Sequence, residues 1–304
     1  MRTLVYPIIL LIAFIFITMP VSVTSFQSST PYSIYNRGWN GLYDFKELAR
    51  KYGNIKAILE PLDKYNLKSK TGVLFIIGPN LTYTSSELGQ IKAFVKKGNV
   101  LVLADDFGDG NKILRSLGIK ERFSQYPLED FFYSKDDRFI IIAHIVNPVL
   151  AKNVSYILTD KPSAILVTSK GEVYSSKVAM INSKMGRYPL MVSIPYQKGK
   201  IILISDPDIF INMLYPHNKA FLKNLMSYIG PGTYYFDEIH HPNFNLYSQT
   251  SMIVNRTIPR DLAKKILLAA GGFIILLESN VIELGLRKIK KAIRRGKRWI
   301  YSQK

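Results

Sequence analysis

The chain has 304 residues, of which 47% are hydrophobic and 21% charged, and this composition excludes a largely disordered protein. It has no cysteine, which excludes disulfides, thiolate metal sites and cysteine nucleophiles. The formal net charge of +19 is compatible with a cytosolic nucleic-acid binder, but nine basic and no acidic residues are concentrated in the tail 287–304.

Residues 1–25 form an N-terminal segment that carries no charge from Leu4 to Val23. A helix of about 20 apolar residues matches the hydrocarbon thickness of a bilayer. The segment is predicted to be either a retained membrane anchor or a signal peptide cleaved before Phe26, and both alternatives export the central part of the chain. Residues 26–40 are rich in Ser, Thr, Tyr and Asn and are expected to form a linker.

Residues 41–245 show the alternation of strands and helices that is typical of an α/β domain. The first half begins with a helix that is expected to end at Gly53. Thr84 and Glu87 have the spacing of a capping box and predict the start of a second helix. A short third helix is expected before Gly118. The predicted strands are 57–59, 73–77 and 100–104, and this order predicts a mostly parallel sheet with right-handed crossovers.

The second half of the domain is richer in strands than in helices. Short turns that contain Gly or Ser connect several of these strands, which predicts an antiparallel extension of the sheet. A final strand and helix, closed by Gly230, return to the pattern of the first half. The predicted strands are 139–143, 164–168, 178–181, 190–194 and 201–205.

A second apolar run comes after the domain and a juxtamembrane segment at 246–262. Residues 263–286 are predicted to span the membrane, although they contain Glu278 and Glu283, which are costly in hydrocarbon. The alternative is a helix packed on the domain or lying in the membrane interface. The basic tail 287–304 is expected in the cytoplasm, because Lys and Arg beside an apolar segment are retained on that side.

These features predict a protein of the cell membrane whose central domain is extracytoplasmic and whose ends contact membrane lipids. Three Asn-X-Ser/Thr triplets agree with an exported domain, since they are acceptor sites for glycosylation. The candidate asparagines are Asn80, Asn153 and Asn255.

Several segments also share the pattern of one known family. They are Gly41 to Gly53, Gly78-Pro79, Ser85-Ser86-Glu87, Leu101 to Asp106, Leu117-Gly118, and Gly199 to Asp208. Through them the chain resembles an uncharacterised family of prokaryotic membrane proteins, domain of unknown function 4350, over roughly residues 34–230.

The resemblance implies a three-layer flavodoxin-like sandwich, similar to class I glutamine amidotransferases, with membrane helices at its ends. It also implies partnership with MoxR-type ATPases. The chain departs from a working amidotransferase, because without cysteine the nucleophile of that chemistry is absent. No catalytic residue is assigned and no cofactor is predicted, since a nucleophile elbow, a phosphate loop and a dinucleotide fingerprint are also absent from the sequence.

Polar residues come directly after the predicted strands, at the edge where open parallel sheets bind ligands. Carboxylates that converge at such an edge can hold a cation or a polar ligand. The alternative is that each Asp caps a helix or tightens a turn. The candidate ligand-binding residues are Asn80, Asp105, Asp106, Asp206 and Asp208.

A second candidate site lies in residues 237–241, which contain two of the four histidines. If the segment is a strand, Glu238 and His240 share a face and are candidate metal ligands. The alternative is a hydrogen-bonded loop close to the membrane. His144 and His217 are isolated in the sequence and are expected to be ordinary structural residues.

The sequence therefore predicts a membrane-anchored, extracytoplasmic binding or scaffold protein with a non-catalytic amidotransferase-like domain. The alternative is a metal-dependent hydrolase that uses the strand-end carboxylates. A cytosolic nucleic-acid binder is a third interpretation, and the position of the basic tail disfavours it.

Overall fold

The structure is a computed structural model that describes residues 8, 21–135, 137–166, 169–253 and 264–274, except 267 and 273. The chain divides into two compact units. One unit contains residues 26–248, and the other contains residues 1–25 and 249–304. The larger unit holds the candidate sites.

The described strands are β1 (Val21–Gln27), β2 (Gly53–Ile58), β3 (Val73–Ile77), β4 (Val100–Ala104), β5 (Arg122–Phe123), β6 (Leu128–Glu129), β7 (Ser134–Lys135), β8 (Asp137–Ile145), β9 (Tyr156–Leu158), β10 (Ile165–Leu166), β11 (Gly171–Tyr174), β12 (Ala179–Ile181), β13 (Lys184–Gly186), β14 (Pro189–Tyr196), β15 (Gly199–Ile204), β16 (Gly232–Asp237) and β17 (Tyr247–Ile253). The α-helices are α1 (Tyr43–Ala49), α2 (Ser85–Lys96), α3 (Gly110–Leu117) and α4 (Tyr215–Ile229), and short 3₁₀ helices form at Leu67–Ser69 and Pro207–Phe210.

A mixed ten-stranded sheet organises the larger unit. Five neighbouring strands are parallel, in the order β2-β16-β3-β4-β15. Beyond β15 the order continues β14-β11-β8-β7, with β9 also paired to β8, and each of these pairs is antiparallel. The predicted combination of a parallel sheet and an antiparallel extension is therefore confirmed.

Helices cover both faces of the parallel strands, because successive side chains of a buried strand point to opposite sides. Phe75 of β3 belongs to one core cluster with residues of α1 and α4. Leu74 of the same strand belongs to a second cluster with residues of α2 and α3. The result is an α/β domain with a helix layer on each side of the sheet.

Local sequence signals explain several of these elements. The strands predicted at 73–77 and 100–104 have the predicted bounds, and each is a continuous run of apolar residues. The capping box is confirmed, since the Thr84 hydroxyl accepts a hydrogen bond from the Glu87 N–H while the Glu87 carboxylate accepts one from the Thr84 N–H. Gly118 has a φ of 74° and ends α3 in the left-handed conformation.

One prediction about the parallel strands is wrong, and one of these strands was not predicted. Gly53 does not end α1, which stops at Ala49; it begins β2. The sequence pattern also does not predict β16, although this strand lies between β2 and β3 and pairs with both.

Residues 26–40, predicted as a linker, are part of the larger unit: 26–27 end β1, and the residues from 28 onward form a loop. Ile34 is buried in the core cluster that contains α1. The loop is held by backbone hydrogen bonds, among them those from Tyr32 N–H to the Asn40 carbonyl and from Leu42 N–H to the Ser33 carbonyl. It therefore contributes to the domain in addition to connecting it.

The predicted terminal helices fall mostly outside the described residues. Val21–Gln27 forms a strand, β1, that pairs with β17. From the sequence, these residues are predicted to be the end of the apolar segment and the start of the linker. The remainder of 1–25, apart from Ile8, lies outside the described residues, as do most of 263–286 and the whole of 287–304. Within the part of the chain that the structure describes, no helix is both long and apolar enough to cross a bilayer.

Replacement of Gly53 tests how closely β2 and β16 approach. A Cβ atom at Gly53 would lie 1.9 Å from the Gly232 carbonyl oxygen, whereas a Cβ at Gly89 in α2 meets no atom within 4 Å. We expect Gly53→Ala to lower the free energy of unfolding by about 1–3 kcal/mol through overpacking, and Gly89→Ala to raise it by up to about 1 kcal/mol, as alanine does in a helix.

Chemical denaturation of the two variants and the wild type measures both changes. Equal stability of Gly53→Ala and the wild type would contradict the close backbone approach, and Gly89→Ala controls for the general effect of an added methyl group.

Candidate functional site

The carboxyl ends of the five parallel strands form one edge of the sheet, here called the carboxyl edge. The chain leaves β3 toward Asn80, β4 toward Asp105, β15 toward Asp206 and β16 toward Glu238. Asn80 and the segment after β16 lie side by side there, because the His240 carbonyl accepts hydrogen bonds from the N–H groups of Asn80 and Leu81. All seven candidate ligand-binding and metal-binding residues come after strands at this edge.

Asp105 closes the loop between β4 and α3. Its carboxylate accepts hydrogen bonds from the N–H groups of Gly108 at 3.0 Å and Gly110 at 2.7 Å. A Cβ at Gly110 would lie 2.5 Å from that carboxylate, so the loop needs glycine at this close approach. Burial raises the pKa of Asp105 to about 7, against the lowering effect of these backbone hydrogen bonds.

Asp206 and Asp208 hold the chain after β15. Asp206 accepts hydrogen bonds from the N–H groups of Asp208 at 2.8 Å and Asp160 at 3.0 Å. Asp208 in turn accepts one from the Tyr32 hydroxyl at 2.8 Å. Burial raises the pKa of both carboxyls, to about 7 for Asp208 and well above the ordinary range for Asp206, where the charge of Asp208 adds to the rise.

Asp106 is partly exposed and lies among these buried carboxyls. Its negative charge contributes to the raised pKa values of Asp105, Asp206 and Asp208, and burial raises its own pKa. We call these four residues the aspartate cluster. Mutual repulsion and burial both favour protonation, so the cluster carries fewer than four negative charges near neutral pH.

His240 is the centre of a second group, the histidine cluster, which also contains Tyr83, Glu87 and Asp237. The imidazole Nδ1 lies 2.8 Å from an Asp237 oxygen, and Nε2 lies 3.3 Å from a Glu87 oxygen. The Tyr83 ring stacks on the imidazole at 3.7 Å, and its hydroxyl donates a hydrogen bond of 2.5 Å to Asp237. Burial lowers the pKa of His240, but the hydrogen bond to Asp237 and the charges of both carboxylates outweigh burial and raise it overall.

Glu238 has different neighbours from His240. Its carboxyl group lies 2.5 Å from the Ser33 hydroxyl and accepts a hydrogen bond of 3.0 Å from the Ile34 N–H. Burial raises the pKa of Glu238 to about 8. The residue therefore ties the loop 28–42 to the end of β16.

The described residues contain no group of three or more His, Asp or Glu side chains arranged to hold a metal ion. The geometry around His240 shows why, since Asp237 and Glu87 contact different nitrogens of one ring and so do not converge on a common point. Glu238 and His240, the predicted pair, have different hydrogen-bond partners, since Glu238 contacts the loop 28–42 and His240 contacts Glu87 and Asp237.

Two tyrosines of this edge, Tyr32 and Tyr83, carry no sequence signal for a site. Tyr32 extends from the aspartate cluster toward the segment after β16, since its hydroxyl contacts Asp208 and its ring centre lies 6.3 Å from that of His241. His241 is buried, and its Nδ1 has no hydrogen-bond partner in the described part of the chain. Tyr83 becomes recognisable only when β16 is known to end beside α2.

The carboxyl edge also exposes apolar surface. Leu81, after β3, is 43% exposed and Phe107, after β4, is 44% exposed. Phe107 borders a cleft of about 260 Å³ whose lining also includes Asp106, Lys112 and Arg115. Of the glycosylation candidates, Asn80 at this edge and Asn153 are exposed, and Asn255 lies outside the described residues.

The fold and this edge define an α/β domain with a mixed sheet and a polar carboxyl edge closed by internal hydrogen bonds. The family model "Domain of unknown function (DUF4350)" matches residues 34–226, and the chain belongs to this family. The match ends before β16, so residues 237–241 lie beyond it.

Two other kinds of similarity accompany the family match. The "Uncharacterized protein in nifH1 5'region" of Methanothermococcus thermolithotrophicus is 32% identical over 95 residues, which cover 31% of this chain and 95% of that protein. The solved structure "mmIFT52 N-terminal domain" has a TM-score of 0.52 at 10% identity, over 62% of this chain and 90% of that chain, a likeness of fold alone. A β-galactosidase from Bacillus circulans sp. alkalophilus has a TM-score of 0.38 at 10% identity, over 55% of this chain and 23% of that chain.

The raised pKa of Glu238 predicts a pH-dependent stability that Glu238→Gln removes. A carboxyl group whose folded pKa is raised from 4.5 to about 8 stabilises the fold fully below pH 4.5, and this contribution is lost as the pH rises through 8. The amide of Gln imitates the protonated carboxyl, so at pH 9 the variant should exceed the wild type by about 1–3 kcal/mol and at pH 5 the two should agree within about 0.5 kcal/mol.

Urea denaturation at both pH values measures this difference. Glu60→Gln, at an exposed position, is the matched control and should show no such dependence on pH. A Glu238→Gln variant that is equally destabilised at pH 5 and pH 9 would contradict a protonated Glu238 in the folded protein.

Proposed function

We propose that the chain is a non-catalytic binding or scaffold protein whose carboxyl edge recognises a protein partner. One observation carries this proposal: buried acidic side chains at the edge already serve as hydrogen-bond acceptors for the protein's own loops. Asp105, Asp206 and Glu238 each accept hydrogen bonds from backbone N–H groups. Such groups are poorly available for proton transfer or metal binding and well suited to keeping a recognition surface rigid.

Exposed side chains at the edge support a protein as the partner. Leu81 and Phe107 offer apolar surface, and Lys112 and Arg115 border the adjoining cleft. The loops that bear the two apolar residues are joined, because the Asp109 N–H donates a hydrogen bond to the Pro79 carbonyl. An apolar centre with polar residues at its rim is the arrangement common in protein interfaces.

We also propose a more specific fold type for the α/β domain. Parallel strands with helices on both faces support a flavodoxin-like sandwich similar to class I glutamine amidotransferases. The absence of cysteine from the sequence supports a domain without amidotransferase chemistry. We propose a MoxR-type ATPase system as a partner on the basis of the family resemblance.

Attachment to the cell membrane, with the domain outside, is also proposed. The uncharged stretch from Leu4 to Val23, the apolar run within 263–286 and the basic tail 287–304 support it through their charge distribution. The same segments support contact of the ends with membrane lipids.

Substitution at the apolar pair tests the recognition surface. A photo-crosslinking amino acid placed at Lys112 in the full-length chain, expressed in its own host, should capture a defined partner identified by mass spectrometry. Leu81→Ser combined with Phe107→Ser should reduce that crosslink at least about tenfold, the loss typical of removing central apolar anchors. Met185→Ser, at an exposed apolar residue of β13, is the matched control and should retain it.

Metal analysis of the native protein tests the alternative function, that of a metal-dependent hydrolase. A stoichiometric divalent ion that is lost in Asp106→Asn and Asp208→Asn would favour a metal-dependent hydrolase over a binding protein. Crosslinking that does not change in the Leu81→Ser and Phe107→Ser double variant would contradict the proposed surface.

Membrane attachment is tested by fractionation and protease treatment. We expect the full-length chain to remain in the membrane fraction after washes with high salt and alkaline carbonate. Protease added outside spheroplasts should cleave the central domain, while an epitope tag after Lys304 should be protected. Recovery of the chain in the cytosolic fraction, or protection of the central domain, would contradict the proposed topology.

A further inference from the structure

A pocket on the antiparallel extension lies apart from the residues that form the carboxyl edge. It has a volume of about 360 Å³ and lies between β8 and the segments that flank β12 and β13. Its lining includes Tyr133, His144, Ser175, Ser176, Lys177 and Arg187. A concave site of this size fits a small molecule or the head group of a larger one.

The charge of the pocket is one-sided. Lys177 and Arg187 are both exposed, and no acidic residue is among those that line the pocket. Within the described part of the chain, neither cation lies within 4 Å of a carboxylate. Two cations without counter-ions produce a positive potential that favours an anionic ligand.

Aromatic contacts hold the donors of this pocket in place. Cross-strand register places His144 of β8 opposite Tyr174 of β11 and opposite Tyr156 of β9. The Arg187 guanidinium lies 4.4 Å from the centre of the Tyr174 ring, and the Tyr133 ring meets the His144 ring edge-on at 5.4 Å. Stacking of this kind orders a guanidinium and an imidazole before a ligand arrives and leaves their N–H donors free.

A buried hydroxyl adds a further donor. The Ser176 oxygen accepts a hydrogen bond from the Val178 N–H, and in the described part of the chain its own hydrogen has no acceptor. The Ser175 hydroxyl differs, since it donates to the Ser176 carbonyl and accepts from the Tyr188 N–H. Ser176 is therefore the hydroxyl left to bind a ligand.

We propose that this pocket binds a phosphate group, carried either by a small phosphate ester or by a lipid head group. Two cations, an imidazole and a hydroxyl match a group that has up to two negative charges and several acceptor oxygens. Tyr133 and Tyr156, at the margin of the same face, offer aromatic surface to the rest of the ligand. His144, which looks isolated in the sequence, acquires a binding role from its cross-strand neighbours.

Isothermal titration of the full-length protein tests the proposal with inorganic phosphate, phenyl phosphate and phosphatidylcholine vesicles that contain phosphatidylglycerol. Arg187→Gln and Lys177→Gln should each weaken binding about tenfold or more, because each removes a charge-assisted hydrogen bond. Lys184→Gln, an exposed lysine of the same hairpin that does not line the pocket, is the matched control and should change affinity less than about twofold. Thermal unfolding of the three variants verifies that each is folded.

The three probes also distinguish the source of the phosphate. If phenyl phosphate binds and both Arg187→Gln and Lys177→Gln weaken this binding, the ligand is a soluble phosphate ester. If only the vesicles bind and the same two variants weaken this binding, the ligand is a lipid head group. Equal weakening by Lys184→Gln would assign the effect to overall charge and overturn the proposal. Failure of all three probes to bind at millimolar concentration would overturn it as well.

Discussion

The insertion of β16 between β2 and β3 is the constraint on which the rest of the structure depends. All six residues of β16 pair with β2, and its centre pairs with β3, so both of its edges are hydrogen-bonded. The Glu238 N–H continues this pairing by donating to the Ile58 carbonyl. Because β16 lies beside β3 and runs parallel to it, the residues after β16 reach the carboxyl edge and meet the loop that connects β3 to α2.

The buried acids of that edge act mainly as acceptors for the protein's own donors. Burial favours their protonated forms, and the hydrogen bonds from backbone N–H groups favour the ionised forms. For Asp105 and Glu238 burial outweighs the hydrogen bonds. The edge thus combines a rigid polar interior with exposed Leu81 and Phe107, a division of roles that suits recognition better than proton transfer.

The elements that were predictable from sequence have signals within a few residues. The apolar runs of β3 and β4 and the pair Thr84 and Glu87 are local patterns, and these patterns suffice to specify the strands and the helix start. β16 is different, because Tyr234, Tyr235 and Phe236 lie between a glycine and an acidic residue and resemble an aromatic loop as much as a strand. Its pairing with β2 and β3, both distant in the chain, stabilises the strand.

The same distinction applies to the candidate site. The position of Asp105 directly after a strand predicts its place at the carboxyl edge. The alternative interpretation, in which an Asp tightens a turn, agrees with the hydrogen bonds that Asp105 accepts from its own loop. The position of His240 in a candidate site was predicted, but its partners Glu87 and Tyr83 could not be, because the local pattern around Glu87 indicates a capping residue alone. In the structure its carboxylate also contacts His240 and the Leu62 N–H, and no short-range pattern encodes those partners.

The position of β16 also sets the order in which the domain can assemble during synthesis. Gly53 of β2 pairs with Gly232, so β2 emerges from the ribosome long before β16, its neighbour in the large sheet, exists. Until then β2 is unpaired, and so is the edge of β3 that β16 later occupies, so the nascent chain carries open strand edges. Because the pairing strands are so far apart in the chain, closure of the sheet is a late and slow step of folding. The domain therefore benefits from protection against aggregation until residue 237 has been made.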